Sequence, residues 1–130
     1  MKRSLVLAVG LGLSGCAVPP PQGPQIERGV PFTLTADHFP TIEAGVRSSL
    51  KDPASAMFGP QMGAARMADG DIIVCGTVNA KNSYGGYTGA KPFAGVLSET
   101  PAHFAVAGMG GTDTETYAVT EFCNRSGVGI

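Results

Sequence analysis

The stretch CGTVNAKNSYGGYTGAKPF, residues 75–93, decides the fold that we predict for this chain. It joins an alternating strand pattern to a turn in which two glycines lie between Tyr84 and Tyr87, and an apolar segment resumes at Phe93. Adjacent glycines give the backbone the freedom that a tight turn requires. We therefore interpret the stretch as the central hairpin of a small antiparallel sheet.

The strand that leads into this hairpin, residues 72–81, has the strongest β pattern in the chain. Because successive side chains of a strand point to opposite faces, Ile72 and Val74 share one face and Ile73 and Cys75 share the other. The first face is expected to point to the core. The apolar residues on the second face predict that the start of the strand is covered on both sides.

Upstream of this strand, apolar residues recur at helical spacing at Phe39, Ile42, Val46 and Leu50, which predicts one helix. Pro53 disfavours helical geometry in the residue before it and ends that helix. Residues 32–35 alternate and are expected to form a short strand or an extended lead-in. A further strand is predicted over residues 58–67, and the Asp-Gly pair within 68–71 predicts a turn.

Downstream of the hairpin, the sequence predicts more strands than helices. A strand contains Phe93, and Pro92 within it indicates an edge position or a bulge. We expect a short strand over 103–107, a loop over 108–114, a last strand over 116–123 and a frayed tail over 124–130. The predicted fold class is α+β, with one N-terminal helix packed on a four- to five-stranded antiparallel meander in two layers.

Composition supports a single turn-rich domain. The chain has 130 residues, of which 43% are hydrophobic and 15% are charged, with 19 glycines and 10 prolines. Such a chain is too apolar and too weakly charged for a disordered protein. Its formal net charge is -1, and nucleic-acid binding requires clustered basic residues to neutralise phosphates. Composition therefore argues against a nucleic-acid partner.

The N-terminus has the pattern of a secretory signal. A basic start at Lys2 and Arg3 precedes a short apolar run over residues 5–13, which is too short for a membrane span of about 20 residues. The following sequence Leu13-Ser14-Gly15-Cys16 resembles the lipobox of bacterial lipoproteins. That resemblance implies cleavage before Cys16 and attachment of acyl chains such as palmitate, which would anchor the chain in a membrane.

The lipobox resemblance divides the chain into three parts: a signal peptide over residues 1–15, a Pro-rich tether over 16–27 and a domain over 28–130. Prolines in the tether favour an extended backbone. Ala17, and not an aspartate, follows the lipobox cysteine. By analogy with enteric bacteria, this favours the outer membrane, with the domain facing the periplasm.

The two cysteines other than Cys16 are predicted to pair. Exported proteins meet an oxidising compartment, and both Cys75 and Cys123 lie in strand-like segments. Two alternatives remain open at this point: free buried thiols, or a Cys75 nucleophile that uses His38 or His103 as its base.

Part of the mature domain resembles a group of small proteobacterial secreted proteins and lipoproteins. The resemblance rests on LKDPASAMF (residues 50–58), VCGTVNAKN (74–82) and Gly85-Gly86-Tyr87, which follow the pattern K-D-P-x-S-A…C-G-x-V-N-x-K-N-x-x-G-G-Y. It covers about the middle third of the chain. It implies no activity, cofactor or catalytic residue.

Aromatic, amide and cationic residues cluster around the Gly-Gly turn, and tyrosines give large rigid contact surfaces. The candidate binding residues are Lys81, Asn82, Tyr84, Tyr87 and Lys91. The alternative interpretation is that these residues only support or solvate the turn.

No catalytic constellation, metal site or cofactor fingerprint is evident, so we predict a non-enzymatic protein. We expect a lipid-anchored envelope protein that acts by binding or assembly, with an envelope protein or a glycan as its partner. One alternative is a small-ligand or glycan-binding module, or an inhibitor of an envelope hydrolase, that uses Tyr84 and Tyr87. A hydrolase that uses Cys75 or Ser55 is a further alternative.

Overall fold

A computed structural model describes residues 15–20 and 27–130. The predicted signal peptide up to residue 14, and residues 21–26 of the predicted tether, lie outside these ranges. None of the helices in the described residues is long and apolar enough to cross a membrane.

The described residues contain six strands and two α-helices. In chain order these are β1 (Val30–Pro31), α1 (His38–Ser48), β2 (Met57–Phe58), β3 (Gly63–Arg66), β4 (Ile72–Asn79), β5 (Lys91–Glu99), β6 (Ala102–Met109) and α2 (Asp113–Ser126). A short 3₁₀ turn, Pro53–Ser55, lies between α1 and β2. The α+β class is therefore confirmed, whereas the predictions of one helix and of four to five strands are wrong.

All six strands form one antiparallel sheet in the order β1-β3-β4-β5-β6, and β2 pairs with the far end of β4. From β3 to β6, neighbours in the chain are neighbours in the sheet, as predicted for a meander. The central hairpin is also confirmed, because β4 and β5 pair from Ile72 opposite Leu97 to Val78 opposite Lys91.

The sheet has a helix on each face, which gives three layers and not the predicted two. Ile42 and Val46 of α1 pack with Ile72 and Val74 in one buried cluster that also includes Phe93. On the opposite face, Val119 and Cys123 of α2 pack with Ile73, Cys75 and Ala94. The prediction that β4 is covered on both sides at its start is therefore confirmed.

Helix α1 lies where the apolar spacing predicts it, but it ends at Ser48, so Leu50 lies outside the helix and the prediction that Pro53 ends it is wrong. It begins after Asp37, which occupies the N-cap position without a side-chain hydrogen bond, and Pro40 lies in the first turn. Gly45 faces β6 so closely that a Cβ there would overlap the carbonyl oxygen of Phe104. The absence of a side chain at Gly45 therefore allows α1 to approach the sheet closely.

The predicted last strand over residues 116–123 is wrong, because this segment is the core of α2. Thr112 and Glu115 form a reciprocal capping box that begins the helix, and this satisfies backbone groups that an uncapped helix leaves without partners. Val119 and Cys123 lie four residues apart and therefore face the sheet together.

The predicted frayed tail over residues 124–130 is also wrong for most of its length. Helix α2 continues to Ser126, and Gly127 ends it with a left-handed backbone (φ 90°). The backbone N–H of Val128 then donates to the carbonyl of Cys123 at 2.9 Å. Val128 is buried in the cluster beneath α2, so packing against the sheet holds the chain after the helix.

Two strand predictions need correction. The single strand over 58–67 is two strands, β2 and β3, separated by residues 59–62. Pro92 is not on an edge strand, because β5 lies between β4 and β6. It is tolerated there because the register with β6 begins only at Phe93, so Pro92 occupies the end of the strand where proline is allowed. The irregularity in β5 lies between Ala94 and Gly95.

The remaining boundaries differ by a few residues. The first strand is Val30–Pro31, and residues 32–35 follow it outside the sheet. Strand β4 ends at Asn79 and not at residue 81, and β6 runs from Ala102 to Met109 and so extends past the predicted 103–107. The turn predicted at residues 68–71 is present, with Gly70 at φ 98°.

Candidate functional site

The loop between β4 and β5 is held by its own hydrogen bonds. Lys81 and Tyr87 pair as an isolated antiparallel bridge. Between them, the Asn82 side-chain oxygen accepts from the backbone N–H groups of Tyr84 at 2.9 Å and Gly86 at 3.1 Å. Because the Asn82 oxygen closes the turn, the loop has a defined shape, and the role of this atom is structural.

Tyr87 joins the loop to the 3₁₀ turn after α1. Its hydroxyl donates to the carbonyl of Ser55 at 3.1 Å, and the Lys81 ammonium lies 5.5 Å from the centre of its ring. The Lys81 backbone N–H donates to the Ser55 hydroxyl at 2.8 Å, and that hydroxyl donates to the carbonyl of Asp52 at 2.8 Å. Tyr87 and Ser55 therefore have a structural role, because these contacts join the loop to the 3₁₀ turn.

Tyr84 differs from Tyr87 in its surroundings. It is 97% exposed, whereas Tyr87 is 47% exposed. Its ring therefore projects from the ordered loop with almost all of its surface available to a partner. Of the two candidate tyrosines, Tyr84 is the one whose side chain makes almost no contact with the rest of the fold.

A pocket of about 220 Å³ lies beside the loop, where the end of α1 meets the sheet. Its polar lining includes three of the five predicted candidates, which are Lys81, Asn82 and Lys91, together with Lys51 and Thr88. The rest of the lining is Ser49, Leu50, Val78, Ala80 and Met109. The fold therefore brings these three candidates to one cavity and leaves both tyrosines outside its lining.

Sequence reasoning missed Lys51, because it lies far from the hairpin along the chain. Residue 51 follows the C-terminal end of α1, and this end reaches the sheet beside the start of β5. Only the packing of α1 on the sheet brings it to the same pocket as Lys81 and Lys91. The positions of these three lysines in the sequence do not indicate that they line the same pocket.

The carboxylate of Glu115 lies near the pocket residue Lys91 but does not line the pocket. Glu115 accepts hydrogen bonds from the backbone N–H and the hydroxyl of Thr112, and these bonds hold the pKa of its carboxyl below the ordinary value. The positive charge of Lys91 lowers that pKa further. The Lys91 ammonium itself donates to the carbonyl of Gly111 at 3.0 Å.

Cys75 and His38, two of the residues considered for catalysis, make other contacts in this structure. Cys75 is bonded to Cys123, so its sulfur is not a thiol in this form and cannot attack a substrate. His38 contacts Thr35 and Glu99. In residues 15–20 and 27–130, no group of three or more histidine, cysteine or carboxylate side chains is placed to hold a metal ion.

A second cavity, which the sequence did not predict, opens at the break between β2 and β3. It measures about 810 Å³, and Phe39, Phe58, Met62 and Ile130 form its apolar walls. Among the described residues that line it, Glu43 has the one acidic side chain. The cavity contains none of the predicted candidate residues.

Cys16 is exposed and is the one free cysteine in the described part of the chain. The predicted pairing of the other two cysteines is confirmed, with Cα atoms 6.2 Å apart. In comparisons with known proteins, the chain matches no family model, no curated protein and no solved structure at a significant level.

Proposed function

We propose that this chain is a lipid-anchored protein of the bacterial cell envelope that acts by binding another envelope component and not by catalysis. Acyl chains on Cys16 provide the anchor, and the domain faces the periplasm from the outer membrane. The binding face is the loop between β4 and β5.

The cysteine arrangement supports the anchor. Cys75 and Cys123 are joined to each other, which leaves the exposed Cys16 at the end of the lipobox-like sequence. Metabolic labelling with palmitate should therefore label the wild-type chain in a bacterial host and should not label Cys16→Ser. Globomycin, which blocks lipoprotein signal peptidase, should make the unprocessed chain accumulate. A wild-type chain that takes up no label would contradict the anchor.

One observation carries the choice of binding face: Tyr84 is 97% exposed on a loop that its own hydrogen bonds hold in place. Exposed tyrosines on ordered loops are favourable contacts, because they bury a large surface with little loss of side-chain entropy. Proteins that co-purify with the chain from detergent-solubilised envelopes should be lost in Tyr84→Ala.

Tyr117 provides a matched control for this capture experiment. It is 70% exposed on helix α2, far along the chain from the loop. Tyr117→Ala removes the same ring from helix α2 instead of the loop and should keep the co-purifying proteins. If both variants keep the same proteins, the loop is not the binding face, and the second candidate below takes precedence.

The second candidate is a module that binds a small ligand or a glycan, and the pocket lined by Lys51, Lys81 and Lys91 favours it. An inhibitor of an envelope hydrolase would instead use the projecting Tyr84, and Tyr87 would stabilise the loop through its hydrogen bond to Ser55. Inhibition of a purified envelope hydrolase by the wild-type chain and not by Tyr84→Ala would identify that case.

A further inference from the structure

The lysines of this domain are distributed unevenly. Three lysines occur in the described residues, and all three line the pocket beside the β4–β5 loop: Lys51, Lys81 and Lys91. In the same part of the chain, none of them lies within 4.0 Å of a carboxylate oxygen, whereas Arg47, Arg66 and Arg125 each form a salt bridge with a glutamate. Three arginines are thus paired with glutamates, whereas all three of these lysines line one cavity.

This convergence is notable because residues 27–130 hold ten acidic side chains against seven basic ones. A net acidic domain would lower its electrostatic energy by dispersing its cations among those carboxylates. Within the described ranges, no aspartate or glutamate lines the pocket. Opposite charges attract each other, so three lysines on a cavity whose lining holds no carboxylate favour the binding of an anion.

Neighbouring negative charge does not cancel the three ammonium groups. The C-terminal end of α1, which contributes Ser49 and Leu50 to the lining, carries about half a negative charge from its aligned peptide dipoles. Glu115 adds one carboxylate near Lys91, and these two sources together carry less charge than three ammonium groups. The pocket therefore keeps a positive potential.

The pocket also offers neutral hydrogen-bond donors. Among the described residues, the side-chain nitrogen of Asn82 and the hydroxyl of Thr88 have no protein partner within hydrogen-bond distance, although both residues line the cavity. Leu50, Val78, Ala80 and Met109 provide an apolar wall beside these donors. Ligand sites typically combine an apolar wall with a few convergent polar groups in this way.

We propose that this pocket binds a carboxylate or phosphate group carried on a short apolar or sugar stem. A volume of about 220 Å³ is below the range of roughly 300–1,000 Å³ that is typical for drug-sized ligands. It therefore accommodates an anionic head group and a few further atoms, and not a whole cofactor. The lysines contact the anion, Asn82 and Thr88 donate to its oxygens, and the apolar wall contacts the stem.

The test uses the full ¹⁵N-labelled chain in a non-ionic detergent and follows backbone amide shifts. Butyl phosphate and butyrate should each cause saturable shifts at Lys81, Asn82 and Lys91. Butanol, which has the same stem without the charge, should cause none. Because ionic attraction is screened by salt, the affinity for both anions should fall as sodium chloride is added.

Two sources of the phosphate group are separated by a further pair of probes. Glycerol phosphate is added in solution, and phosphatidylglycerol, which carries a similar head group, is mixed into the micelle with phosphatidylcholine as its control. Saturable shifts with glycerol phosphate alone indicate a soluble ligand, and shifts with phosphatidylglycerol indicate a lipid head group. Either result supports an anion pocket.

Substitution of each lysine by glutamine tests the assignment. At about 4 Å in water, one charge pair is worth about 1 kcal/mol, so each substitution should weaken butyl phosphate binding by about fivefold. Lys51→Gln is the safest variant for folding, because Lys51 is exposed, and Lys51→Arg should restore affinity by keeping the charge. Arg125→Gln removes a cation from α2, outside the pocket, and should leave affinity unchanged.

Three outcomes would overturn the proposal: no saturable shift with any anion, equal shifts with butanol, or the same loss of affinity in Arg125→Gln as in Lys51→Gln. The binding face proposed above is tested separately, because Tyr84 does not line the pocket. Loss of anion binding with retention of Tyr84-dependent capture would refute the pocket alone.

Discussion

Cys75 and Cys123 form a disulfide that joins the central strand β4 to helix α2, across a sequence separation of 48 residues. Both residues are completely buried, so the bond passes through the core on one side of the sheet. Their neighbours in that cluster include Val119 and Val128. The disulfide therefore fixes the C-terminal part of the chain to the sheet.

Removal of this disulfide should lower stability substantially. Closing a loop of this length stabilises the folded state by about 4 kcal/mol in the chain-entropy model. Cys75→Ser with Cys123→Ser should therefore lower the free energy of unfolding in urea by a comparable amount, as should reductant added to the wild type. Cys16→Ser is the control and should unfold like the wild type. An unfolding midpoint that is insensitive to reductant would contradict the prediction.

The capping box at the start of α2 predicts a smaller effect. Thr112→Ala removes the hydroxyl that accepts from the Glu115 backbone N–H at 3.2 Å, and loss of an N-cap side chain typically costs about 1 kcal/mol. Thermal unfolding should detect this loss. Thr114→Ala, at a position inside the first turn, should change stability much less. Equal effects of the two substitutions would argue that the cap contributes nothing specific.

Gly45→Ala should change stability in the direction opposite to that usually seen for this substitution in a helix. In an isolated helix, Gly→Ala stabilises by about 1 kcal/mol. In this fold, the new methyl group would overlap the backbone of Phe104, and such overpacking typically costs about 1–3 kcal/mol. Gly45→Ala should therefore lower the melting temperature. Ala44→Gly, at the exposed neighbouring position, measures the propensity effect alone, and a more stable Gly45→Ala would refute the close contact.

Acidification should weaken the contacts of Glu99. A hydrogen bond from Arg66 at 3.0 Å is the main cause that holds the pKa of the Glu99 carboxyl below its ordinary value of 4.5, and His38 at 3.4 Å adds to it. Because the pKa is lower in the folded state, the contribution to stability is complete above 4.5 and is lost as the pH falls through the lowered value.

Urea unfolding over a series of acidic pH values tests this expectation. The wild type should lose more stability on acidification than Glu99→Gln, which lacks the titrating group. Glu121→Gln, which removes a carboxylate paired with Arg125 on α2, controls for the loss of one surface charge. Identical acid dependence in the wild type and Glu99→Gln would contradict the prediction.

Local patterns were sufficient to predict the centre of this fold. The alternation from Ile72 onward identified the strand that both layers cover, and the apolar spacing from Phe39 identified α1. The cysteine count, together with the expectation that the chain is exported, predicted the disulfide correctly. Each of these signals is local or compositional, so each could be interpreted without knowledge of distant contacts.

The C-terminal helix shows where local patterns misled. The segment TYAVTEF (residues 116–122) contains β-branched and aromatic residues that suit a strand, and this composition favours the wrong prediction. Thr112 and Glu115 match the capping-box spacing, so the sequence also contains a signal for the helix. The spacing of Val119 and Cys123 is equally compatible with one face of a helix.

The candidate site was only partly predictable for a different reason. Lys81, Asn82 and Lys91 are close along the chain, and their grouping around the turn could be inferred. Lys51 reaches them only through the packing of α1. The break between β2 and β3 ends at Gly63, which is in close contact with Val128 from the end of the chain. Such relationships depend on tertiary structure, which one sequence does not reveal.

The most direct test of the proposed binding face is site-specific photo-crosslinking in native envelopes. A photoreactive amino acid replaces Tyr84 in one variant and Tyr117 in another, and both tyrosines are largely exposed. We expect a discrete crosslinked species from position 84 and none of the same kind from position 117. No crosslink from position 84, or the same products from both positions, would contradict the claim that the β4–β5 loop is the face that binds.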